Sequence, residues 1–164
     1  MPKPLSYRAF VALGSNLAEP EAQVLQAFAA LNALPQTRLC AQSALYRSAP
    51  VGYAAQPDFI NAVAWLETAL SAADLLQSLL HIERDCGRIR DFRNAPRTLD
   101  LDLLLYGDLI MHEAGLTLPH PRMHERAFVL LPLVEIAPDC TIPGKGLAAD
   151  YLAAVGAQAI ERIA

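Results

Sequence analysis

Two aspartates, Asp100 and Asp102, lie in the sequence RTLDLDL with the spacing of a metal site. Because side chains alternate along a β-strand, the two carboxylates point to one face, with Cα atoms about 7 Å apart, while Leu101, Leu103 and Leu105 point to the other. Paired carboxylates repel each other unless a cation lies between them, and oxygen ligands without cysteine favour Mg²⁺. Aspartate is also unfavourable in strands. The pattern therefore favours a Mg²⁺ site, and the alternative is a strand with a solvated polar face.

An arginine-rich loop leads directly into the aspartate pair. Residues 87–97 (GRIRDFRNAPR) contain four arginines, and seven of the 13 basic residues lie between Arg84 and Arg126. The planar guanidinium group matches phosphate oxygens, and phosphoryl transfer depends mainly on positioning and on neutralising charge around the phosphates. By itself such a loop is usually only solvated. Beside two aspartates, it indicates a site for a polyphosphate bound with Mg²⁺.

A histidine, His120, follows in the rigid turn LPHP, with Arg126 and Phe128 close behind it. A single histidine of this kind is more often structural than catalytic. The sequence contains no P-loop, and the turn of residues 14–16 (GSN) is too short to replace one. If the chain uses ATP, it binds ATP without a P-loop.

These residues lie in an alternating order of strands and helices. The pattern predicts strands at residues 7–13, 38–46, 59–66 and 99–106, and helices that begin near Pro20, after Ser71 and at Arg126. The loop of residues 48–57 is longer than most connections, and long loops in compact domains tend to be functional. The order predicts an α+β fold with a ferredoxin-like βαββαβ core, in which helices pack on an antiparallel sheet, and a C-terminal helical extension.

Length and composition predict one domain over residues 1–164. The three cysteines, Cys40, Cys86 and Cys140, do not have the spacing of a metal site and indicate reduced thiols. We find neither a signal peptide nor a membrane span in the sequence, so we expect a cytoplasmic protein. The net charge of −4 argues against a general nucleic-acid binder.

Segments along the chain, taken in order, closely resemble 6-hydroxymethyl-7,8-dihydropterin pyrophosphokinases. They are FVALGSN (10–16), QPDFINA (56–62), APRTLDLD (95–102), PH (119–120) with RAF (126–128), and EIAP (135–138). The combination of RTLDLD with PH and GSN is highly specific. The resemblance implies an enzyme that transfers pyrophosphate from ATP to 6-hydroxymethyl-7,8-dihydropterin, giving the pterin diphosphate and AMP, in folate biosynthesis.

The resemblance also implies roles for individual residues. Asp100 and Asp102 would hold two Mg²⁺ ions between the ATP phosphates and the pterin hydroxyl, and Arg88 and Arg97 would act on the phosphates. The residues that would bind the pterin are Ser48, Ala49, Val51, Phe59, Asn61, Arg97 and Phe128, with the two phenylalanines on either side of the ring. The residues at ATP-binding positions are Glu83, Arg90, Arg93, Leu103, Thr117, His120 and Arg126. The implied partners are ATP and the pterin, bound by a monomer that binds neither nucleic acid nor membrane.

The chain departs from the best-known bacterial pattern at several positions. That pattern has a tryptophan after the last loop arginine, whereas Arg93 is followed here by Asn94, so a tryptophan lid over the pterin is absent. Leu80, Gly115 and Pro121 replace glutamine, arginine and tyrosine among the nucleotide contacts. The metal and pterin residues match the pattern.

The alternative function is that of a non-catalytic ferredoxin-like module that binds a nucleotide or RNA through its arginines. A fold of this type supports many functions, so topology does not exclude it. An RNA-binding sheet is expected to carry exposed aromatic residues with basic neighbours and a positive net charge. The acidic charge and the position of Phe59 beside Asn61 on a mostly apolar strand argue against that function.

Overall fold

The computed structural model describes residues 6–16, 19–49, 57–87 and 99–163. Its strands are β1 (Tyr7–Ser15), β2 (Thr37–Gln42), β3 (Tyr46–Ser48), β4 (Phe59–Thr68), β5 (Asp100–Tyr106), β6 (Met111–Glu113), β7 (Leu116–Leu118), β8 (Thr141–Ile142), β9 (Gly146–Leu147) and β10 (Ile160–Arg162). Its α-helices are α1 (Pro20–Asn32), α2 (Ala72–Ile82) and α3 (Ala127–Ile136). A π-helical turn, Glu83–Gly87, follows α2, and a short 3-10 helix, Met123–Glu125, precedes α3.

A six-stranded antiparallel sheet forms the centre of the structure. The strand order is β10-β3-β4-β1-β5, and β2 also pairs with β4. The inner strand β1 pairs with β4 along its whole length, from Tyr7 opposite Thr68 to Ser15 opposite Ile60. The predicted α+β class, with helices packed on an antiparallel sheet, is therefore confirmed.

Side-chain alternation divides the sheet between two apolar cores. Ala9, Val11 and Leu13 of β1 lie in the core formed with α1 and α2. Phe10 and Ala12 lie in the core formed with α3 and the C-terminal segment. Because both faces of the sheet are covered, the inner strands are apolar on both sides and polar residues on them are exceptional.

Local sequence signals account for the residues at which α1 and α2 begin. The first helix begins at Pro20, where the missing N–H costs nothing because the first turn has no partner for it. The second helix begins after Ser71, whose Oγ accepts a hydrogen bond from the Asp74 N–H at 3.1 Å. Both helix starts were predicted, and so was α3, which continues through Pro132.

The predicted strand at residues 38–46 is divided into two. The pairing with β4 shifts by one residue within β2, between Leu39 and Ala41, and by one more residue between β2 and β3; such one-residue shifts are the pattern of a β-bulge. Ser43 lies in the break, where its N–H donates to the Val63 carbonyl at 3.0 Å and its Oγ accepts from the Val63 N–H at 2.9 Å. The serine side chain replaces a backbone partner, and strand periodicity does not reveal such a substitution.

A second irregularity changes the face on which Leu105 lies. Leu101 and Leu103 lie in the core beside α1 and α2, as predicted, but Leu105 lies in the core beside α3. The pairing of β1 with β5 shifts register between Phe10 and Val11. The prediction for Leu105 was wrong because an extra residue on β5 inverts the alternation beyond that point.

The segment after α3 covers one edge of the sheet. It contains the hairpin β8–β9, two short 3-10 helices (Ala148–Tyr151 and Ala153–Val155) and the strand β10, which pairs with β3. Where the sequence predicted a C-terminal helical extension, the structure has two short 3-10 helices followed by a strand. Within the described ranges, we find no helix with the length and apolar character needed to cross a membrane.

Glu135 ties α3 to the irregular connection between β2 and β3. Its carboxylate accepts hydrogen bonds from the Ala44 N–H at 3.0 and 3.1 Å and from the Tyr46 hydroxyl at 2.7 Å. Tyr46 is only 7 % exposed. Loss of the carboxylate would therefore leave donors without their partner, one of them on a buried side chain.

We expect Glu135→Ala to lower the free energy of unfolding by about 1–3 kcal/mol, the usual cost of an unsatisfied donor. Glu113→Ala, in the exposed hairpin β6–β7, is the control and should change it by less than about 0.5 kcal/mol. Urea denaturation measures both, and equal changes would contradict the role of Glu135.

Burial, followed by the bond to Glu135, raises the pKa of Tyr46 from 10.0 to about 12. Because this pKa is higher in the folded protein than in the unfolded chain, the stabilisation that neutral Tyr46 provides is complete below pH 10.0. It is lost as the pH rises toward about 12.

Candidate active site

A cleft of about 750 Å³ opens on the face of the sheet that also carries α3. Its walls come from β1, β3, β4 and β5, from the beginning of α3, and from residues 158–160 near the C-terminal end. The cleft contains Asn61 of the inner strand β4 and Asp100 and Asp102 of the edge strand β5. Such a concave site with a few convergent polar groups is typical of small-molecule binding.

The register of the sheet places the floor of this cleft. Gly14 on β1 lies opposite Asn61 on β4 and opposite Asp100 on β5, and Ala12 lies opposite Asp102. Asn61 and Asp100 are therefore about 10 Å apart in Cα position, two strand spacings. A Cβ on Gly14 would have Asn61 Oδ1 as its nearest neighbour, at 3.5 Å. The small residues of β1 thus form an open strip between an amide and a pair of carboxylates.

The two aspartates line the cleft together, as the period of the strand predicted. Asp100 is half-buried and Asp102 is exposed. Among the described residues, we find no group of three or more His, Cys, Asp or Glu side chains that could hold a metal ion. Two carboxylates with space around them fit Mg²⁺, which usually takes one or two carboxylates and completes its shell with water and substrate phosphates.

The other end of the cleft carries two half-buried phenyl rings and a buried amide. Phe59 comes from β4 and Phe128 from the first turn of α3. Asn61 is only 4 % exposed, and its Nδ2 donates to the Ser48 Oγ at 2.7 Å. That bond fixes the amide so that Oδ1 faces the strip above Gly14. Aromatic faces and a fixed amide suit a flat heterocycle with N–H groups on its edge.

Cationic and neutral donors lie near the acidic pair. The His120 Nδ1 accepts a hydrogen bond from the Arg122 N–H at 3.2 Å, so the neutral ring carries its proton on Nε2. Burial lowers the pKa of His120, Asp102 opposes this shift, and Arg126 and Arg122 add to it. The imidazole is therefore neutral at pH 7 and can donate from Nε2. Arg122 and Arg126 themselves line the cleft.

Four described residues at predicted ATP-binding positions do not line the cleft formed by the described residues: His120, which lies near Asp102, and Glu83, Leu103 and Thr117. Glu83 is 4 % exposed, and its carboxylate accepts the Leu101 N–H at 2.8 Å. The side chain of Leu103 lies in the core beside α1 and α2. Thr117 lies on β7, opposite His112 in the β6–β7 hairpin.

Other predicted residues fall in two groups. Ser48 and Ala49 line the cleft at the end of β3, beside the phenyl rings and Asn61. Five residues lie outside the described ranges, and their roles stay predictions: Val51, Arg88, Arg90, Arg93 and Arg97.

Sequence reasoning missed several residues that line the cleft. Ala12 and Gly14 could have been found, because alternation along β1 puts them on the face of Phe10. Arg122 was not singled out from the other arginines of its region. Residues 158–160 carry no local signal, since a turn and a short strand reach the cleft only through tertiary contacts.

These features define an α+β domain whose cleft suits a flat heterocycle at one end and a metal-bound anion at the other. Residues 10–138 match the family 7,8-dihydro-6-hydroxymethylpterin-pyrophosphokinase (HPPK). The chain belongs to this family. The resemblance inferred from the sequence motifs is therefore confirmed.

Relatives named 2-amino-4-hydroxy-6-hydroxymethyldihydropteridine pyrophosphokinase support the same assignment. The protein from Pseudomonas aeruginosa is 50 % identical over 156 residues, covering 95 % of this chain and 96 % of the relative. The protein from Haemophilus influenzae is 49 % identical over 135 residues, covering 82 % and 84 %. The solved structure of wild-type Plasmodium falciparum HPPK-DHPS with pteroate superposes with a TM-score of 0.72 at 13 % identity, over 95 % of this chain and 44 % of that one. This last likeness concerns the fold alone, and the chain spans less than half of that solved chain.

Proposed function

We propose that the protein transfers the pyrophosphoryl group of ATP to the hydroxymethyl oxygen of 6-hydroxymethyl-7,8-dihydropterin, giving the pterin diphosphate and AMP in folate biosynthesis. The observation that carries the proposal is the placement of Asn61 and Asp100 on either side of Gly14. The reaction needs a heterocycle site and a polyphosphate site close enough together for the hydroxymethyl oxygen of the bound pterin to reach the β-phosphorus of the bound ATP. Neighbouring strands supply that arrangement.

The pterin is proposed to lie between Phe59 and Phe128. Asn61 would accept an N–H of the ring edge through Oδ1, and Ser48 would hold the amide in that orientation through the bond at 2.7 Å. Ala49 lines the same end of the cleft. The hydroxymethyl group would then project along the strip above Gly14 toward the carboxylates.

Asp100 and Asp102 are proposed to hold two Mg²⁺ ions with the phosphates of ATP. When bound, such ions neutralise phosphate charge and favour ionisation of the attacking hydroxyl. His120 would donate from Nε2 to a phosphate oxygen, and Arg126 would place its guanidinium against the same group. Arg88 and Arg97 are predicted to act on the phosphates during transfer, and Arg90 and Arg93 to bind ATP.

In the proposed reaction, the hydroxymethyl oxygen attacks the β-phosphorus in line with the departing group. The new bond joins that oxygen to the β-phosphorus, and the bond from the β-phosphorus to the oxygen shared with the α-phosphate breaks. AMP leaves with that oxygen. Water must be kept from the β-phosphorus, because water would accept the same group.

We also propose the finer features that the sequence predicted. The order strand, helix, strand, strand, helix, strand, with β1 between β4 and β5, supports a ferredoxin-like core. The protein is proposed to act as one domain and as a monomer in the cytoplasm, without nucleic acid. The net charge of −4, the half-buried Phe59 and the buried Asn61 do not favour the alternative RNA-binding module.

Release of AMP from ATP tests the proposed function. With Mg²⁺ and 6-hydroxymethyl-7,8-dihydropterin present, we expect AMP and the pterin diphosphate in equal amounts. Omission of the pterin, or chelation of the metal with EDTA, should each stop AMP release. Equal AMP release with and without the pterin would identify a different ATP-using activity, and no release with both substrates present would favour a binding module.

A further inference from the structure

Gln158 connects the C-terminal segment to the beginning of α3. Its Oε1 accepts a hydrogen bond from the Ala127 N–H at 2.9 Å, and its Nε2 donates to the Glu125 carbonyl at 2.8 Å. These two backbone groups lie on either side of Arg126. One side-chain amide therefore holds three consecutive residues at the start of the helix.

The beginning of α3 needs such a partner. The first N–H groups of a helix have no acceptor within the helix, and a side chain at the N-cap usually supplies one. Here the N-cap is Arg126, which makes no capping hydrogen bond with its side chain. Gln158 supplies the acceptor for Ala127 from a distant part of the chain, so the position of the first turn depends on the C-terminal segment.

The held turn carries one wall of the cleft. Phe128 follows Ala127 directly, and the Arg126 guanidinium lies over the Phe128 ring at 5.5 Å from its centroid. Two residues after Gln158, Ile160 pairs with Ser48 on β3. Residues 158–160 thus join the wall that carries Phe128 to the wall that carries Ser48, and they line the cleft between the two.

We propose that Gln158 is a positioning residue of the pterin site. It fixes the first turn of α3, and through it the Phe128 ring, at the separation from Phe59 that a flat heterocycle needs. Gln158 lies beyond the family match, which ends at residue 138. The inference rests on the proposed function, because it takes the pterin as the molecule bound between the two rings.

Pterin binding by Gln158→Met tests the inference, because methionine keeps the length of the side chain and removes both hydrogen bonds. We expect the Kd for the pterin to rise about five- to tenfold, the effect of one or two hydrogen bonds. The KM for ATP should change less than about twofold, since the long Arg126 side chain can adjust whereas the Phe128 ring cannot. Gln158→Glu, which keeps an acceptor for Ala127 but loses the donor to Glu125, should give a smaller rise. Gln26→Met is the control, because Gln26 is exposed on α1 and this helix packs on the face of the sheet opposite to the cleft. It should leave both constants unchanged.

The Phe128→Ala background separates positioning from direct contact. If Gln158 acts through Phe128, Gln158→Met should raise the pterin Kd less than about twofold further in that background, because the two effects are not additive. A full rise in the Phe128→Ala background, or equal losses for ATP and pterin, would overturn the positioning role. A wild-type protein that binds no pterin would overturn the proposed function together with this inference. Normal wild-type binding with an unchanged Gln158→Met variant would overturn the inference alone.

Discussion

Asp102→Asn is expected to lower the kcat of pterin-dependent AMP release by roughly a hundred- to a thousandfold, since a metal at such a site contributes several kcal/mol of charge stabilisation. The variant keeps the size of the side chain and removes one of the two negative charges. Because Asp102 is exposed on the cleft side of β5, its replacement does not disturb either core. Removal of one of two neighbouring like charges should leave the free energy of unfolding of the metal-free protein unchanged or raise it.

The dependence of kcat on Mg²⁺ concentration is the measurement for this variant. Asp108→Asn provides the matched control, because Asp108 is exposed in the turn after β5 and does not line the cleft. It should keep wild-type activity at every Mg²⁺ concentration. Near wild-type activity of Asp102→Asn at saturating Mg²⁺ would show that the carboxylate pair is not the metal site.

Phe128→Ala is expected to weaken pterin binding by about 1–3 kcal/mol, the usual contribution of one aromatic side chain stacked on a base. ATP binding should change much less, because the ring stacks on the pterin, and the long Arg126 side chain that lies over the ring can adjust its position. The phenyl ring is half-buried and packs at the margin of the core beside α3, whereas Val129, Leu130 and Leu133 of the same helix are fully buried in it. The loss should therefore be one of binding, with little change in the fold.

Calorimetric titration with each ligand separately measures this effect. Tyr7→Ala is a suitable control, since Tyr7 is an exposed aromatic residue that stacks on Tyr106, about 23 Å along β1 from Gly14. This control removes an aromatic side chain at a site away from the cleft, so pterin affinity should be retained. Equal losses of pterin and ATP affinity in Phe128→Ala would indicate a folding defect instead of a lost stacking partner.

Several features of the fold and the site follow from short-range geometry and could be predicted from the sequence. The period of a strand puts Asp100 and Asp102 on one face, and the same period puts Phe59 beside Asn61. Pro20 and Ser71 mark helix starts because their effects on the backbone are local. A match to the motifs of a family also predicts roles for these residues, because the reaction of that family needs the same chemical groups at the matching positions.

Tertiary structure alone decided the features that depend on pairing between distant segments. The bulge that turns Leu105 toward α3 arises from the register between β1 and β5, and the break at Ser43 arises from a side chain that bonds to β4. Glu83 is directed to the Leu101 N–H by the turn that follows α2. Gln158 reaches the start of α3 only because β10 pairs with β3 at the edge of the sheet. Local sequence determines how side chains alternate along a regular strand, but the position of a bulge and the partner that each side chain meets depend on contacts between residues far apart in the chain.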